Sequence, residues 1–527
     1  MSTGAGKFIL AIDLGTSGPK VALVSVQGEV IAHETEPTGV RLLPGGGAEQ
    51  DPDEWWQAIR TATRRLLEKR TVPVGEIVAI SCASQFSCTV AVGRDGRPLM
   101  NAINWMDTRG ARHVKAITGG WPSVEGYGIG KLLTWLRRTG GIPTHSGKDS
   151  IAHILYLKHE RPEIYRDTHK FLEPKDYINS RLTGKFCASY DSIALHWLTD
   201  NRDISRIVYD DRLLALAGVD RDKLPDLKLA VDVLGPLSAE AARELGLSET
   251  VQVVVGTIDT ESSGIGAGAV KDYEAYLYLG TSSWLTCHVP FKKTDLAHNM
   301  ASLPAAIPGR YWVANEQECA GSCLTFLRDS LFHHADGSAE ARPAEAYQRF
   351  DRLAEQAPPG SGRMIFAPWL VGERTPVEDH LLRGGFFNVS LRAAHEHFVR
   401  AVFEGVAYNS RWLFGHVEKF VGRRLEALNV VGGGAKSDIW CQIYADVLDR
   451  PIRQVQDPIL ASPRGAAFLA AVALGCMTFD DIPRHIRIAR SYEPNPANRG
   501  LYDELFREFL NLYKSNRPIF ARLNRAG

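Results

Sequence analysis

Residues 7–20 read KFILAIDLGTSGPK and decide the fold. The run Lys7–Leu14 is apolar and rich in β-branched residues, and Gly15–Pro19 is turn-forming. A second apolar run, Lys20–Val26, follows, and Gln27-Gly28 then leads into a third run over residues 30–34. The pattern predicts strands joined by tight turns, so we expect the chain to open with a sheet.

The same four residues end an apolar run twice. Leu14–Ser17 and Leu279–Ser282 both read LGTS, about half of the 527-residue chain apart. Because both copies stand at a strand-to-turn junction, we expect a duplication with two α/β halves facing each other across a cleft. The apolar run Val251–Ile258 ends at Asp259, and we expect a second sheet to begin there. The predicted domains are therefore residues 1–255 and 256–527.

Composition and charge favour small-molecule partners. The chain is 44% hydrophobic and 23% charged, as in an average globular protein. Lys plus Arg equals Asp plus Glu at 61 each, so no net field would attract nucleic acid or an anionic membrane. The apolar run at the N-terminus is too short for a signal peptide, and no stretch of the sequence is apolar enough to cross a bilayer. We expect a cytoplasmic protein, with a homodimer left open.

The eight cysteines are scattered and form no Cys-x-x-Cys pair. Cys319 and Cys323 are one helical turn apart, but no second pair completes a metal site. We expect all eight to be buried, reduced, small apolar residues.

Phosphate binding would not use a classical P-loop, since no GxxxxGK[ST] sequence is present. The turns Gly15–Gly18 and Gly280–Ser283 offer an alternative. Glycine lets the backbone approach an anion closely, and the small hydroxyl residues beside it can donate hydrogen bonds. Two facing turns could hold a triphosphate. Two ordinary hairpin turns are the competing interpretation.

Asp13 and Asp259 each stand at the carboxyl end of an apolar run, where a carboxylate can emerge into a crevice. Phosphoryl transfer needs one carboxylate near the metal and another to take the proton of the acceptor hydroxyl. Alternatively, each aspartate only bonds the turn that follows it. Their shared placement near the phosphate turns favours a functional role.

A third pattern is the strand-glycine-helix stretch over residues 429–448. The glycines Gly432–Gly434 would let a flat ligand lie against the backbone before a helix that starts near Asp438. The later stretch Ser462–Ala467 begins a small-residue helix, which we interpret as close helix packing. The tail, with Tyr502 and Phe509 at helical spacing, predicts a closing helix on the second domain.

Over nearly its whole length the chain resembles the FGGY carbohydrate kinases, and within that family most of all the xylulokinases. The motifs that carry the resemblance occur in the family order: IDLGTSGPK (12–20), EQDPDEWW (49–56), PKDY (174–177), PWLVGERTP (368–376) and VVGGGAKSDIW (430–440).

The resemblance implies a fold of two α/β domains of the actin/hexokinase (ribonuclease H-like) type. The first domain would bind sugar and the second would bind the nucleotide. It also implies ATP and Mg²⁺, with transfer of the γ-phosphoryl group to a sugar hydroxyl. The resemblance also implies that Asp259 is the catalytic base and that Asp13 helps to hold the metal.

Two larger sets follow from the same resemblance. The nucleotide-binding set is Gly15, Thr16, Ser17, Lys20, Gly280, Thr281, Ser282, Gly321, Gly433, Gly434 and Asp438. The substrate-binding set is Gln85, Phe86, Ser87, Trp105, Asp107 and Thr260.

Two departures from the family pattern concern the sugar. The family's xylulokinases usually show Gln-Met-His where this chain has Gln85-Phe86-Ser87, and the residue after the base is usually Asn or Gln rather than Thr260. D-xylulose is the first candidate substrate. Ribulose, a deoxyketose, erythritol and glycerol are alternatives within the class. A sugar-independent ATPase on the same scaffold is an alternative from another class, and a silent sugar sensor is disfavoured because Asp259 is present.

Overall fold

The computed structural model describes residues 6–332 and 343–524. The outer ends of the two predicted domains, residues 1–5 and 525–527, lie outside the described residues, as do residues 333–342. In the described part, no helix combines the length and apolarity needed to span a bilayer.

Within residues 6–258, the first half contains seventeen strands and eight α-helices, and a ninth α-helix follows directly. The strands are β1 (Phe8–Gly15), β2 (Gly18–Ser25), β3 (Val30–Thr35), β4 (Arg41–Leu43), β5 (Gly47–Gln50), β6 (Ile77–Ser84), β7 (Val90–Val92), β8 (Ala102–Ile103), β9 (Ser123–Val124), β10 (Tyr127–Gly128), β11 (Lys170–Leu172), β12 (Cys187–Ser189), β13 (Thr199–Asp200), β14 (Val208–Tyr209), β15 (Asp226–Lys228), β16 (Val233–Pro236) and β17 (Gln252–Ile258). The helices are α1 (Pro52–Glu68), α2 (Ala111–Thr118), α3 (Ile129–Thr139), α4 (Ser150–Glu160), α5 (Pro162–Asp167), α6 (Pro174–Thr183), α7 (Asp211–Ala217), α8 (Ala239–Leu245) and α9 (Asp259–Gly266).

Six of these strands form one sheet in the order β16-β17-β6-β1-β2-β3. β1 lies in its centre, antiparallel to β2 and parallel to β6. Because both faces of β1 are covered, its residues form one continuous apolar run rather than an alternating pattern.

The expectation that a second sheet begins at Val251 is wrong, because β17 pairs in parallel with β6 of the first sheet. The apolar run indicated a buried strand, but only long-range pairing decides which sheet a strand joins. The change from one sheet to the other falls between Ile258 and Ala275, beyond the division at 255 and 256.

In the second half, the strands and α-helices described are those of residues 275–332 and 343–524. The strands are β18 (Ala275–Leu279), β19 (Ser283–Val289), β20 (Thr294–Asp295), β21 (Met300–Pro304), β22 (Tyr311–Ala314), β23 (Ile365–Ala367), β24 (Gly385–Phe387), β25 (Leu428–Val431), β26 (Ile452–Val455) and β27 (Ile488–Tyr492). The helices are α10 (Gly321–Phe326), α11 (Pro343–Gln356), α12 (His395–Val421), α13 (Asp438–Leu448), α14 (Ala461–Ala473) and α15 (Arg499–Asn524).

The second sheet repeats the arrangement at the centre of the first. Its order is β20-β21-β22-β19-β18-β25-β26-β27. β18 is antiparallel to β19 and parallel to β25, as β1 is to β2 and β6. The two LGTS stretches thus occupy the same junction in each half, as the duplication predicts.

The two halves share a helix layer. α14 packs against α9 and against β1 and β6 of the first sheet. A Cβ at Gly465 would lie 1.8 Å from the Ser262 carbonyl oxygen, and one at Gly266 would lie 1.8 Å from that of Ala461. The prediction that Ser462–Ala467 begins a closely packed small-residue helix is confirmed.

The closing helix is also confirmed. α15 buries Tyr502, Leu505, Phe509 and Tyr513 in the core of the second half and contacts α13. Seven of the eight cysteines are buried, and all are free. Cys476 is exposed, which corrects the expectation that every cysteine is buried.

Candidate active site

A cleft of about 820 Å³ lies between the two halves and receives most of the predicted site residues. Those that line it are Asp13, Gly15, Thr16, Ser17, Lys20, Gln85, Phe86, Ser87, Trp105, Asp259, Thr260, Thr281, Ser282 and Gly433. The predicted residues outside this lining are Asp107, Gly280, Gly321, Gly434 and Asp438.

The first turn is the tip of the β1–β2 hairpin, where Gly15 pairs with Gly18. Gly18 has a φ of +128°, and a Cβ there would lie 1.9 Å from the Glu36 carbonyl oxygen. Only glycine fits this position. Thr16 and Ser17 therefore stand at the cleft on a turn whose backbone is tightly constrained.

The second turn joins β18 to β19 and is braced by the start of α10. Gly321 donates its N–H to the Gly280 carbonyl at 2.8 Å, and a Cβ at Gly321 would lie 2.6 Å from that same oxygen. Ser322 donates its hydroxyl to the Thr281 carbonyl at 3.0 Å. Gly280 and Gly321 thus shape the turn, whereas Thr281 and Ser282 face the cleft.

The two predicted carboxylates both reach the cleft. Asp13, at 3% exposure, lies near the end of β1 and accepts an ion pair from Lys20 at 2.8 Å. Asp259 begins α9 directly after β17 and is partly exposed. Its Oδ1 accepts the N–H of Thr260 at 2.7 Å.

Burial raises the pKa of Asp259 to about 7, with a further increase from the charge of Asp13. The hydrogen bond from the Thr260 N–H opposes this shift. A carboxyl group that titrates near neutral pH can accept a proton from a hydroxyl group and later release it, as a general base requires.

The first turn is bonded to the predicted sugar residues. Thr16 donates its hydroxyl to Gln85 Oε1 at 2.7 Å and accepts the indole N–H of Trp105 at 3.1 Å. Gln85 in turn donates to Gln50 Oε1 at 2.7 Å, and Gln50 donates to the Thr16 carbonyl at 2.9 Å. The Thr16 hydroxyl is thus bonded to two residues of the predicted substrate-binding set, although the resemblance placed Thr16 itself in the nucleotide-binding set. Ser17, by contrast, forms a backbone bond only, from Thr38 N–H to its carbonyl, among the hydrogen bonds of the described residues.

Two of the predicted sugar residues have further contacts. Phe86 packs edge-on against Trp312, with ring centroids 6.3 Å apart. Ser87 has a positive φ of 60° and donates its hydroxyl to the Lys148 carbonyl at 2.7 Å.

Asp107 is turned away from the cleft. It is 1% exposed, accepts the Ala48 N–H at 2.9 Å and the Arg109 Nε at 2.8 Å, and so holds the loop that carries Trp105. Its contacts are those of a supporting residue.

The predicted residues of the strand-glycine-helix stretch differ in their position relative to the cleft: Gly433 lines it, whereas Gly434 and Asp438 do not. Gly433 lines the cleft with open space where a Cβ would stand, whereas a Cβ at Gly434 would meet Trp440 and Leu279. Asp438, at the start of α13, accepts a hydrogen bond from the Tyr492 hydroxyl at 2.7 Å and forms an ion pair with Arg490 at 3.1 Å.

Sequence reasoning missed a charged wall of the cleft. Lys148 lies 3.6 Å from Glu318, and Arg374 pairs with Glu318 at 3.2 Å and with Glu316. Arg374 belongs to the motif PWLVGERTP, which contributed to the family resemblance but was not assigned a function in the site. Lys148 comes from a loop with no pattern that could have singled it out.

A stacked aromatic pair was also missed. Tyr278 and Trp284 flank the second turn with parallel rings 4.0 Å apart, and both line the cleft. They stand directly opposite each other on β18 and β19. Aromatic residues opposite each other on paired strands are a common stabilising contact, so their sequence pattern alone indicated no site.

The family models for the N-terminal and C-terminal domains of the FGGY family of carbohydrate kinases match residues 8–266 and 275–474. The chain belongs to the FGGY family of carbohydrate kinases. It is therefore an ATP-dependent sugar kinase, and its two α/β halves are the two domains of the actin/hexokinase type that the resemblance implied.

Similar proteins span its whole length. A xylulose kinase of Staphylococcus epidermidis is 29% identical over 529 aligned residues, covering 98% of each chain. The crystal structures of a gluconate kinase and of a ligand-bound xylulose kinase from Lactobacillus acidophilus are each 26% identical with a TM-score of 0.85. Each covers 98% of this chain and 100% of the other. The similarity therefore includes kinases of both a neutral and an acidic sugar.

The site of this FGGY kinase fits Mg²⁺ bound together with phosphate. Within residues 6–332 and 343–524, no group of three or more His, Cys, Asp or Glu side chains could hold a metal ion. Mg²⁺ is commonly held by one or two carboxylates together with phosphate oxygens and water. The Asp13 carboxylate lines the cleft beside the first turn and is of the kind that such a site would use.

Proposed function

We propose that this kinase phosphorylates a hydroxyl group of a ketopentose, with D-xylulose as the first candidate. The observation that carries the proposal is Asp259, a carboxyl group with a pKa of about 7 in a cleft edged by two hydroxyl-bearing glycine turns. A base of that pKa is close to the optimum for catalysis at neutral pH.

The charges of the cleft favour an uncharged acceptor. In the part of the lining that the structure describes, the basic side chains are Lys20, Lys148, Arg374 and His380. Each lies against a carboxylate: Lys20 at Asp13, Lys148 and Arg374 at Glu318, and His380 at Glu378 at 3.5 Å. The carboxylate of an aldonate such as gluconate would have to compete for cations that are already paired, at a desolvation cost. A neutral sugar needs only hydrogen bonds.

In the proposed reaction, the protein positions the sugar and the nucleotide and accepts the proton of the sugar hydroxyl. The sugar hydroxyl oxygen forms a bond to the γ-phosphorus, the bond from that phosphorus to the leaving oxygen of ADP breaks, and Asp259 takes the hydroxyl proton. Ser17, Thr281 and Ser282 are proposed to donate hydrogen bonds to the phosphates. Lys20 adds a positive charge beside them.

Asp13 would hold Mg²⁺, which neutralises phosphate charge when bound. The Thr16, Gln85 and Trp105 network is proposed to orient the sugar, and Gly433 to leave room for the nucleotide base.

ADP release across a panel of acceptors tests the proposal. We expect turnover with D-xylulose, and much weaker turnover with D-ribulose, erythritol, glycerol and D-gluconate. Preference for gluconate would contradict the charge argument, and equal ADP release without any sugar would indicate an ATPase.

The role of the base is tested in the same assay. Asp259→Asn should lower kcat by at least about 10²-fold, the contribution of a general base. Asp95→Asn, on an exposed side chain, is the matched control and should keep the activity of the wild type. Near-normal activity of Asp259→Asn would remove Asp259 from this role. The cytoplasmic location of the protein and its assembly as a homodimer are predictions from the sequence.

A further inference from the structure

The strand that delivers Asp259 contains an extra residue. β17 pairs with β6 through Val254 opposite Ser81 and then Thr257 opposite Ala83, so three steps on β17 match two on β6. The additional residue lies at Val255–Gly256 and forms a β-bulge. Gly256 has a φ of +73°, and a Cβ there would lie 2.0 Å from the Cys82 carbonyl oxygen.

The bulge changes the face on which the strand presents its side chains. In a regular strand Val254 and Thr257, three positions apart, would point to opposite faces. Here they pair with Ser81 and Ala83, which are two positions apart and share a face. One extra residue moves every later side chain to the other face of the sheet. The bulge therefore sets the side on which the chain leaves the sheet and enters α9 at Asp259.

Buried polar groups hold the carbonyl at the centre of the bulge. The Val255 carbonyl accepts the Asn179 amide at 2.7 Å and Lys175 Nζ at 3.5 Å. Lys175 is ion-paired with Asp176, and both side chains are fully buried. Asp176 also accepts the Ser192 hydroxyl at 2.9 Å. Lys175 and Asp176 belong to the PKDY motif, to which the site itself gave no role.

Asp191 holds the two residues that immediately precede Asp259. Its Oδ2 accepts the Thr257 hydroxyl at 2.6 Å and the Ile258 N–H at 3.0 Å. Asp191 is 1% exposed. Burying a carboxylate is costly, and a fully buried ion pair is often no more stabilising than apolar residues of similar volume. Stability alone is a weak reason for burying three ionisable side chains at this bulge.

We propose that Asp191, together with the Lys175–Asp176 pair and Asn179, is a positioning device that fixes the bulge of β17 and thereby sets where the Asp259 carboxylate stands in the cleft. The inference rests on the proposed function for the role of Asp259 as base. None of these four residues is in the cleft lining, so they act through Asp259 rather than on the sugar.

The first test compares Asp191→Ala with Asp191→Asn. The alanine removes both hydrogen bonds, whereas the asparagine keeps an acceptor oxygen. With the sugar that gives the highest turnover, we expect Asp191→Ala to lower kcat by about 10²-fold, the cost of a misplacement of about 1 Å. KM for ATP should stay within about twofold, a small free-energy change. Asp191→Asn should recover most of kcat.

Two further variants keep the test decisive. Thr257→Val removes one hydrogen bond to Asp191 with little change in volume, and should lower kcat by about threefold to tenfold even if Asp191→Ala does not fold. Glu404→Gln alters a buried carboxylate that accepts from Gly360, Ser361 and Arg400 away from the cleft. It should lower Tm and leave kcat unchanged. An unchanged kcat in Thr257→Val would overturn the proposal.

Crystal structures of the wild type and of the Asp191→Ala or Thr257→Val protein supply a readout that needs no activity. With the first sheet superposed, we expect the Asp259 carboxylate to move by about 1 Å in the variant. A carboxylate at its wild-type position would overturn the proposal. If no sugar supports ADP release by the wild type, the proposed function fails, and this comparison still decides the positioning role.

Discussion

Asp13 and Lys20 face each other across the β1–β2 hairpin, with Lys20 Nζ 2.8 Å from Asp13 Oδ2. The charge of Asp13 raises the pKa of Lys20 well above its usual value and is the largest cause of that shift. The lysine is therefore protonated at any physiological pH. The pair places one positive and one negative charge at the first turn, and both influence the pKa of Asp259, the proposed base.

Asp13→Asn should move the acid limb of the pH profile to lower pH. Asp259 must be ionised to accept a proton, so kcat/KM for the sugar should rise with pH through about 7 in the wild type. After burial, the charge of Asp13 is the next cause of the raised pKa of Asp259, and Lys20 lowers that pKa. Removing the Asp13 charge also frees Lys20, so both changes lower the pKa of Asp259. An acid limb at the wild-type pH would contradict this coupling.

Asp259→Asn should stabilise the fold at alkaline pH. The folded pKa of about 7 lies above the unfolded value near 4, so between those values the folded state binds more protons than the unfolded state. The stability of the wild type therefore falls as pH rises through this window. Asparagine does not titrate. The difference in free energy of unfolding between variant and wild type should increase from pH 4 to pH 7 and then level off, as measured by urea denaturation across pH. A difference independent of pH would contradict the raised pKa.

The sequence predicted those features that depend on local pattern. The β1–β2 hairpin and its repetition at Leu279–Ser282 follow from apolar runs and turn residues. Each signal lies within a few residues of the element that it specifies. The same holds for Asp13 and Asp259, which could be recognised as strand-end carboxylates.

Features that depend on long-range pairing could not be predicted. β17 joins the first sheet because it pairs with β6, some 170 positions earlier, and its bulge depends on that register. The bond from Thr16 to Gln85 and the pairing of Lys148 with Glu318 join segments far apart in the chain. Nothing in either segment alone specifies its partner.

Thr16→Val should weaken sugar binding more than nucleotide binding. The Thr16 hydroxyl donates to Gln85 and accepts from Trp105, and both of these residues belong to the predicted substrate-binding set and line the cleft. Loss of these bonds should cost about 0.5–1.5 kcal/mol each and raise KM for the sugar about tenfold. KM for ATP should change little. Ser17→Ala, at the neighbouring position of the same turn, is the control and should affect ATP instead. A larger effect on KM for ATP than on KM for the sugar would support the nucleotide-binding role that the resemblance implied for Thr16.

Glu318→Gln should improve the use of an acidic sugar. The Glu318 carboxylate lies 3.6 Å from Lys148 and 3.2 Å from Arg374, and neutralises part of their charge. Glutamine keeps the size of the side chain while removing its charge. We expect KM for D-gluconate to fall by about tenfold relative to KM for D-xylulose, since a charge-assisted hydrogen bond is worth about 1.5–3 kcal/mol. An unchanged ratio would show that these cations do not reach the acceptor.

Gly465→Ala should destabilise the contact between α9 and α14. A Cβ at this position would lie 1.8 Å from the Ser262 carbonyl oxygen, which is backbone and cannot rotate away. Overpacking of this kind costs about 1–3 kcal/mol, and the shift it forces lies in the helix that begins with Asp259. Gly415→Ala is the matched control, because Gly415 also lies within a helix, α12, and a Cβ there would meet no atom within 4 Å. It should instead stabilise by about 0.5–1 kcal/mol through the better helix propensity of alanine. Urea denaturation measures both, and equal effects of the two substitutions would show that the helices can separate without cost.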